Sequence, residues 1–439
     1  MKKWYRALSR APIERRHRFI LSVAALALFA SGAALAQSGP WETRTSMPTV
    51  RSAVAAAVDG KIYVIGGISE SLTRLATVEE YDPMTDVWTT KTPMPTARFS
   101  HSACVVNGKI YVFGGQAEVF NPSLSTNQVY DPAIDAWETK SGLPRNRSQA
   151  SATVVGGKIY IIGGQGGPAN SPRSSIEEYN PVTDAWDTTR ADMPTPRVFP
   201  GTSVVNGKIF VMGGAVSGAG GPGLNAVEVY DPVTDSWDQT VASMPTARAG
   251  VSTNVVSGII YAIGGISAFA QGATFLAKVE AFDPATGTWN TSLTAMPTAR
   301  YAHATAVVDG IIHAIGGDVA GFRRSAIVEC YTPPNITSVD GNDSGSPMSF
   351  ALHQNYPNPF NPRTTIAFQL PTAEHVELAV YNMMGQKIKT LIAVEKPAGA
   401  HTVSWDSQDN LGKGVVSGVY FYRLQFGDIV KTKKMILME

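Results

Sequence analysis

The stretch RSAVAAAVDGKIYVIGG, residues 51–67, decides the architecture, because the chain repeats its outline six times. Two strand-like runs flank Asp59-Gly60, a tight-hairpin signal, and the second run ends on paired glycines. Such pairs begin at Gly66, Gly114, Gly163, Gly213, Gly264 and Gly316, with spacings that grow from 48 to 52 residues. Tryptophan returns on nearly the same period, at 41, 88, 137, 186, 237 and 289. Tyr-Asp-Pro or a close variant starts at 81, 130, 179, 230, 282 and 331. Met-Pro-x-x-Arg ends at Arg51, Arg98, Arg147, Arg197, Arg248 and Arg300, with Leu143 for Met in the third copy. Four markers in constant order imply six copies of one four-stranded antiparallel unit. That period and content predict an all-β, six-bladed β-propeller over residues 37–331.

The tryptophan register predicts how the ring closes. Trp41 precedes the first glycine pair and no tryptophan follows the sixth within the repeats. The first segment is therefore expected to supply the outer strand of the last blade, placing Trp41 beside the strand that holds Glu329. Such a clasp removes an open sheet edge.

The glycine pair, the spaced aromatic and the closing tryptophan across 41–331 resemble the kelch repeat. In some kelch adaptors the equivalent arginines grip acidic peptides, so the resemblance makes the six arginines ligand-binding candidates around the channel mouth. A second reading pairs them internally. The third strand of the repeat carries Glu79, Glu177, Glu228, Glu280 and Glu329 at one register, and a partly buried guanidinium needs a partner. Gln128 stands at that position in blade 2, so Arg98, or a neighbour (Arg51 or Arg147), is expected to lack a carboxylate and be open to an anion.

Antiparallel topology puts the loops before the first strand and after the glycine pair on one face. That face collects the sequence variety, including Phe120, Phe269 and Phe322, and variable loops on a rigid scaffold commonly recognise ligands. His101 and His303 occupy the same repeat position in blades 2 and 6 and are read as packed channel residues or ligand contacts. No catalytic or metal-binding constellation is visible and no cofactor is expected, so the protein is read as a non-enzymatic binding module for a protein or glycan. The alternative is a carbohydrate-active enzyme at the channel mouth. Copper radical oxidases and a sialic-acid mutarotase share the kelch fold, but the oxidases need a cysteine joined to tyrosine near two histidines. Cys104 and Cys330 fall in non-adjacent blades and are expected to stay unpaired.

Residues 332–349 read as a Pro/Gly/Ser/Asn-rich linker. Six or seven strand-like runs follow in 350–439, from TTIAFQL to IVKTKKMILM, and suggest a small immunoglobulin-like β-sandwich. VYNMMGQ (380–386), G-x-H-x-V-x-W-D (399–406) and SGVYFYRL (417–424), after NYPNPFNP (355–362), are similar to type IX (Por) secretion sorting domains. The resemblance implies type IX machinery as a partner and a destination outside the cell, released or on the outer-membrane surface. At the other end, a basic stretch, the apolar run 19–36 and Ala34-Leu35-Ala36 read as a signal peptide, 1–36. Without it the propeller region 37–349 carries a charge of about −7. An acidic surface with no basic stripe argues against nucleic acid, and the chain is expected to act as a monomer.

Overall fold

The computed structural model describes residues 40–334, apart from 119–122, 168–170, 218–220 and 270–271, and residues 351–438, apart from 353–354, 356–359, 361, 371–372, 398 and 428. The signal-peptide expectation, Phe120 and most of the linker lie outside the described residues. No helix occurs among the described residues.

Between Trp41 and Tyr331 the chain forms six four-stranded antiparallel sheets. Strands a to d of blade 1 are Arg51–Val58, Lys61–Ser69, Val78–Asp82 and Val87–Lys91. Blades 2 to 5 repeat this order from strands a at Ser102–Val106, Ser151–Val155, Gly201–Val205 and Ser252–Val256. Strands a of neighbouring blades touch in sequence, and Ala304–Val308 of blade 6 touches Arg51–Val58, so the ring closes. Blade 6 takes its outer strand from the start of the repeats. Trp41–Arg44 pairs antiparallel with Val328–Tyr331, setting Trp41 opposite Tyr331 and Thr43 opposite Glu329. This is the predicted clasp. The a–b hairpins turn where both central residues have positive φ, as in Asp59-Gly60 (49° and 75°) and Asn107-Gly108 (51° and 75°), the geometry that matches strand twist.

Apolar cores lie between blades. One unites Ile62, Val64 and Tyr81 of blade 1 with Ala304, Val308 and Cys330 of blade 6. Around the periphery every repeat tryptophan donates its indole N–H to the chain leaving the previous blade: Trp88 to Thr45 O, Trp137 to Thr92 O and Trp41 to Thr294 O, each at 3.0 Å.

The C-terminal region is a two-sheet sandwich. A three-stranded sheet (Ala351–Leu352, Thr364–Leu370, Gly399–Trp405) and a four-stranded sheet (Lys387–Lys396, Glu374–Asn382, Gly418–Phe426, Ile429–Leu437) share one apolar core around Trp405.

Candidate functional site

The arginines come first, because the sequence offered them as ligand contacts. All six are buried, at 0–1 % exposure. Arg51 pairs with Glu79 at 2.7 Å, Arg147 with Glu177 at 2.7 Å, Arg197 with Glu228 at 2.8 Å and Arg300 with Glu329 at 2.7 Å. Arg248 pairs with Glu280 in the same way. Pairing thus runs within each repeat. The threonine of Met-Pro-Thr completes it: Thr49, Thr246 and Thr298 donate to the other oxygen of Glu79, Glu280 and Glu329 at 2.6, 2.5 and 2.7 Å. In blade 3 that threonine is absent, and Arg145 reaches Glu177 instead at 3.2 Å.

Each arginine also ties its blade to the next. Arg147 Nη1 donates to Gly163 O at 3.1 Å, while its own carbonyl accepts from Gly115 N at 2.9 Å in the preceding blade. The glycine pair must allow this approach. A Cβ on Gly114, at φ +61°, would stand 2.2 Å from Arg147 O. These arginines, and Gln128 with them, are therefore framework rather than contact residues, which corrects their place among the ligand candidates.

Blade 2 corrects a second expectation. Arg98 does face Gln128, but it is not open to an anion. Its guanidinium donates to Gln128 Oε1, Thr126 Oγ1, Gly114 O (3.1 Å) and Thr96 O (3.2 Å). Burial pulls its pKa down to about 10.

The residues that do shape the mouth stand two places after each arginine. Ser100, Gln149, Phe199, Gly250 and Ala302 have φ of 52°, 57°, 51°, 58° and 48°. Four of these are not glycine, and side chains rarely adopt that conformation unless surrounding bonds impose it. Here the bonds are visible. Gln149 N donates to Ser100 O (2.8 Å), Phe199 N to Gln149 O (2.9 Å), Gly250 N to Phe199 O (3.1 Å) and Ala302 N to Gly250 O (3.3 Å). Blade 1 breaks the pattern. Its strand a begins at Arg51 with an irregularity between Ser52 and Val54, and the Ser52 hydroxyl, not a backbone N–H, donates to Ala302 O at 2.9 Å. Residue type gave no warning of this ring, since its members share a backbone conformation and nothing else.

All six blades line the resulting cavity of about 200 Å³, which includes Ser52, Phe99, His101, Gln149, Phe199, Val251 and His303. His101 and His303 are buried, and burial together with nearby Arg98 and Arg300 holds both imidazoles neutral, with pKa values lowered to about 3. Beside the cavity an aromatic cluster crosses three blades. Phe269 lies 5.3 Å from Phe199 and 5.9 Å from Tyr301, and Phe322 lies 5.2 Å from Phe275 and 6.1 Å from Tyr301. Phe322 is about half exposed. The structure therefore brings together Phe269, Phe322, His303 and His101 on one face. Cys104 and Cys330 are free thiols in separate cores.

Comparison with known proteins agrees with this architecture. The family model described as the KLHDC2/KLHL20/DRC7 Kelch-repeats domain matches residues 37–214 and again 143–317, and the Secretion system C-terminal sorting domain matches 354–438. Kelch-like protein terF of Aspergillus terreus is 29% identical over 307 residues, covering 68% of this chain and 56% of that protein. Kelch-like protein 33 of Homo sapiens is 36% identical over 76 residues, 17% of this chain and 14% of its own length. The match thus spans little more than half of one curated relative and a small part of the other. A solved structure, that of YjhT, shares the fold with a TM-score of 0.57 at 16% identity, covering 65% of this chain and 95% of that one. The sorting domain indicates export by type IX secretion, to the medium or the cell surface. With four repeat markers, a ring of antiparallel sheets and a family match across most of 37–317, the chain belongs to the kelch-repeat family.

Proposed function

We propose that this protein is an exported recognition module that binds a protein or glycan through the loop-rich face of its propeller. An N-terminal signal peptide starts the export, and the C-terminal domain delivers the chain across the outer membrane. The observation that carries the reading is the aromatic cluster of Phe199, Phe269, Phe275, Tyr301 and Phe322. Its rings come from repeat loops that the fold alone does not require to be aromatic. They are braced against one another, so little side-chain entropy is lost when a ligand covers them.

The test is a glycan array and a panel of immobilised surface proteins, probed with the secreted chain and with its Phe322→Ser variant. Loss of binding by tenfold or more with an unchanged melting temperature supports the reading. Equal binding by both proteins overturns it, and turnover of the captured ligand would replace recognition with catalysis.

A further inference from the structure

The sixfold pattern changes where the loops of blade 6 meet blade 1. One position is the residue whose carbonyl accepts from the first glycine of each pair: Thr77, Thr126, Ala226, Lys278 and Ile327 in blades 1, 2, 4, 5 and 6. In blade 3 it is Ser175, whose carbonyl accepts from Arg147 as that of Ile327 accepts from Arg300. The ring uses only this carbonyl, so the side chain is free to vary, and blade 6 alone carries a large aliphatic one. The residue before each repeat arginine varies in the same way. It is Val50 in blade 1, against Ala97, Asn146, Pro196, Ala247 and Ala299 elsewhere.

Ile327 and Val50 line a groove of about 690 Å³ between the two blades, together with Val319, Ala320, Arg323 and Glu70. Its lining is open to a ligand. Val50 is 43% exposed, Ala320, Arg323 and Glu70 are exposed, and Val319 and Ile327 are half-buried. Val50, Val319 and Ile327 belong to none of the apolar cores of the propeller. Accessible apolar side chains gathered in a concavity, and used by no core, mark an interaction surface. One wall is the hairpin in which Asp318–Val319 pairs with Arg323–Arg324, and its loop carries Phe322 of the aromatic cluster.

The polar groups of the groove are committed, with one exception. Arg324 pairs with Asp318 at 3.1 Å and donates to Phe322 O at 2.7 Å, while its backbone N donates to the Glu70 carboxylate at 2.5 Å. Thr298 donates to Glu329 at 2.7 Å, and Ser325 Oγ accepts from Ile327 N at 3.1 Å. The Arg323 guanidinium has no partner among the described residues, and it stands exposed on an acidic propeller. Methyl-bearing walls beside one free cation fit an apolar surface that carries one anion. A sugar ring presents hydroxyls on every edge, and against these walls they would give up water for no partner. An extended peptide points alternate side chains the same way, so an acid and an aliphatic residue two places apart can both face the groove while the backbone stays in water.

We infer that the groove between blades 6 and 1 binds an extended segment of a partner protein, with an Asp or Glu on Arg323 and an aliphatic side chain two places away against Val50, Val319 and Ile327. The inference rests on the recognition reading of the loop face and chooses protein over glycan as the partner.

An array of acetylated, amidated hexapeptides, whose ends carry no charge, tests it on the whole secreted protein. Peptides with Asp or Glu two places from Val, Ile or Leu should be retained. Changing the acid to its amide should weaken binding about fivefold, and raising salt from about 0.05 to 0.5 M should do much the same. Arg323→Ser should lose that margin for the acidic peptide and leave the amide peptide unchanged. Arg323→Glu should reverse the preference toward a peptide with Lys in place of the acid, an outcome that a folding defect cannot produce. Ala320→Trp, which fills the groove from an exposed position, should weaken acidic and amide peptides alike. No preference for acidic peptides, or full binding by both Arg323→Ser and Ala320→Trp, overturns the inference. Polygalacturonate or laurate bound through Arg323 with no peptide retained also overturns it, because the occupant is then an acidic glycan or a fatty acid. Phe322 does not line the groove, so Phe322→Ser reports on the recognition reading separately. A ligand of the face lost in Phe322→Ser but kept in Arg323→Ser and Ala320→Trp sinks the groove and leaves that reading standing.

Discussion

The propeller and the C-terminal sandwich solve the same problem, keeping β-strands in register, by opposite means. The sandwich gathers Ile366, Phe368, Leu378, Val380, Tyr422 and Met435 around Trp405 in one apolar core. A one-residue slip in any strand would turn that core to solvent, so alternation alone enforces register. The propeller has no common core. Its apolar clusters each join two neighbouring blades, and a blade alone buries too little to fold. Directional bonds fix how the blades meet: six buried arginines, the glycine pairs between them, and indoles that reach the preceding blade. Buried charge therefore acts on register indirectly: each ion pair holds its arginine within one repeat, and that arginine's carbonyl meets the glycine pair of the preceding blade.

The largest expected effect comes from cutting the ring. Deleting residues 37–46 removes the fourth strand of blade 6, the Trp41 indole bond to Thr294 and the Trp41–Tyr331 ring contact at 4.8 Å. Loss of a whole strand should exceed about 5 kcal/mol, beyond the usual range of point substitutions. Hydrogen exchange read by mass spectrometry should show protection lost around the whole propeller and kept in the sandwich. A loss confined to blade 6 would mean that the blades are held separately, and the comparison would break.

Acid should separate the two regions next. His101 and His303 hold pKa values of about 3 against an ordinary 6.5. Between those values the unfolded chain binds protons that the folded chain refuses. Their contribution is thus complete above pH 6.5 and shrinks as the pH falls toward 3. At pH 5 each histidine should cost about 2 kcal/mol. Asp318 acts in the other direction, because burial raises its carboxyl to about 6 from 3.8, and it returns roughly 1 kcal/mol at the same pH. Among the described residues of the sandwich no histidine is buried, so the sandwich serves as the internal reference for exchange protection between pH 7 and 5. Replacing His101 by Gln should reduce the acid slope of the propeller and leave the parts due to His303 and to buried His313, whose pKa is lowered to about 4; an unchanged slope would assign it elsewhere.

Why the fold could be read and the site could not follows from the same contrast. Glycine at 114 is dictated by a carbonyl 2.2 Å from where its Cβ would stand, and each arginine by a buried carboxylate or its amide substitute. Such constraints repeat as residue types, so they are visible as a period. Some were visible but mute. Tyr81 donates to Asp86 at 2.7 Å, Tyr130 to Asp135 and Tyr179 to Asp184 at 2.6 Å, while blade 5 has Phe282 and Gly287 at the two positions. That paired change acquires meaning only once the hydrogen bond is known. The mouth offered no such handle. Ser100, Gln149, Phe199 and Ala302 are alike only in a backbone conformation enforced by their neighbours, and the sequence pointed past them to the arginines that hold them in place.

A smaller effect tests whether the ion pairs set register. Glu228 accepts from Thr195 at 2.6 Å and pairs with Arg197. Glu228→Gln keeps an acceptor and should cost about 1–3 kcal/mol, whereas Glu228→Ala leaves a buried guanidinium unpaired and should cost about 3–5 kcal/mol. Urea unfolding measures both. Equal costs would show that the carboxylate's charge, not its hydrogen bonding, is what blade 4 requires.

The smallest effect comes from the converse change in blade 2. Gln128 already accepts from Arg98, and its Nε2 donates to Thr96 Oγ1 at 3.3 Å. Four of the other blades reverse that last bond, with threonine donating to glutamate at 2.5–2.7 Å. A hydroxyl rotates freely, so Gln128→Glu needs only Thr96 to turn its proton round. The substitution gains an attraction to a guanidinium that no carboxylate compensates, and it loses the hydration of a new buried charge. These terms nearly cancel in most buried pairs. Here the cation is buried already, so half of the desolvation has been met, and Gln128→Glu should stabilise the propeller by up to about 1 kcal/mol at pH 7. The gain should vanish as the pH falls through the carboxylate range, and it should not appear when Arg98 is first replaced by Met. A Gln128→Glu protein less stable than the parent at pH 7 would mean that blade 2 is shaped around an amide, and that its departure from the other five blades is a requirement rather than a tolerated exception.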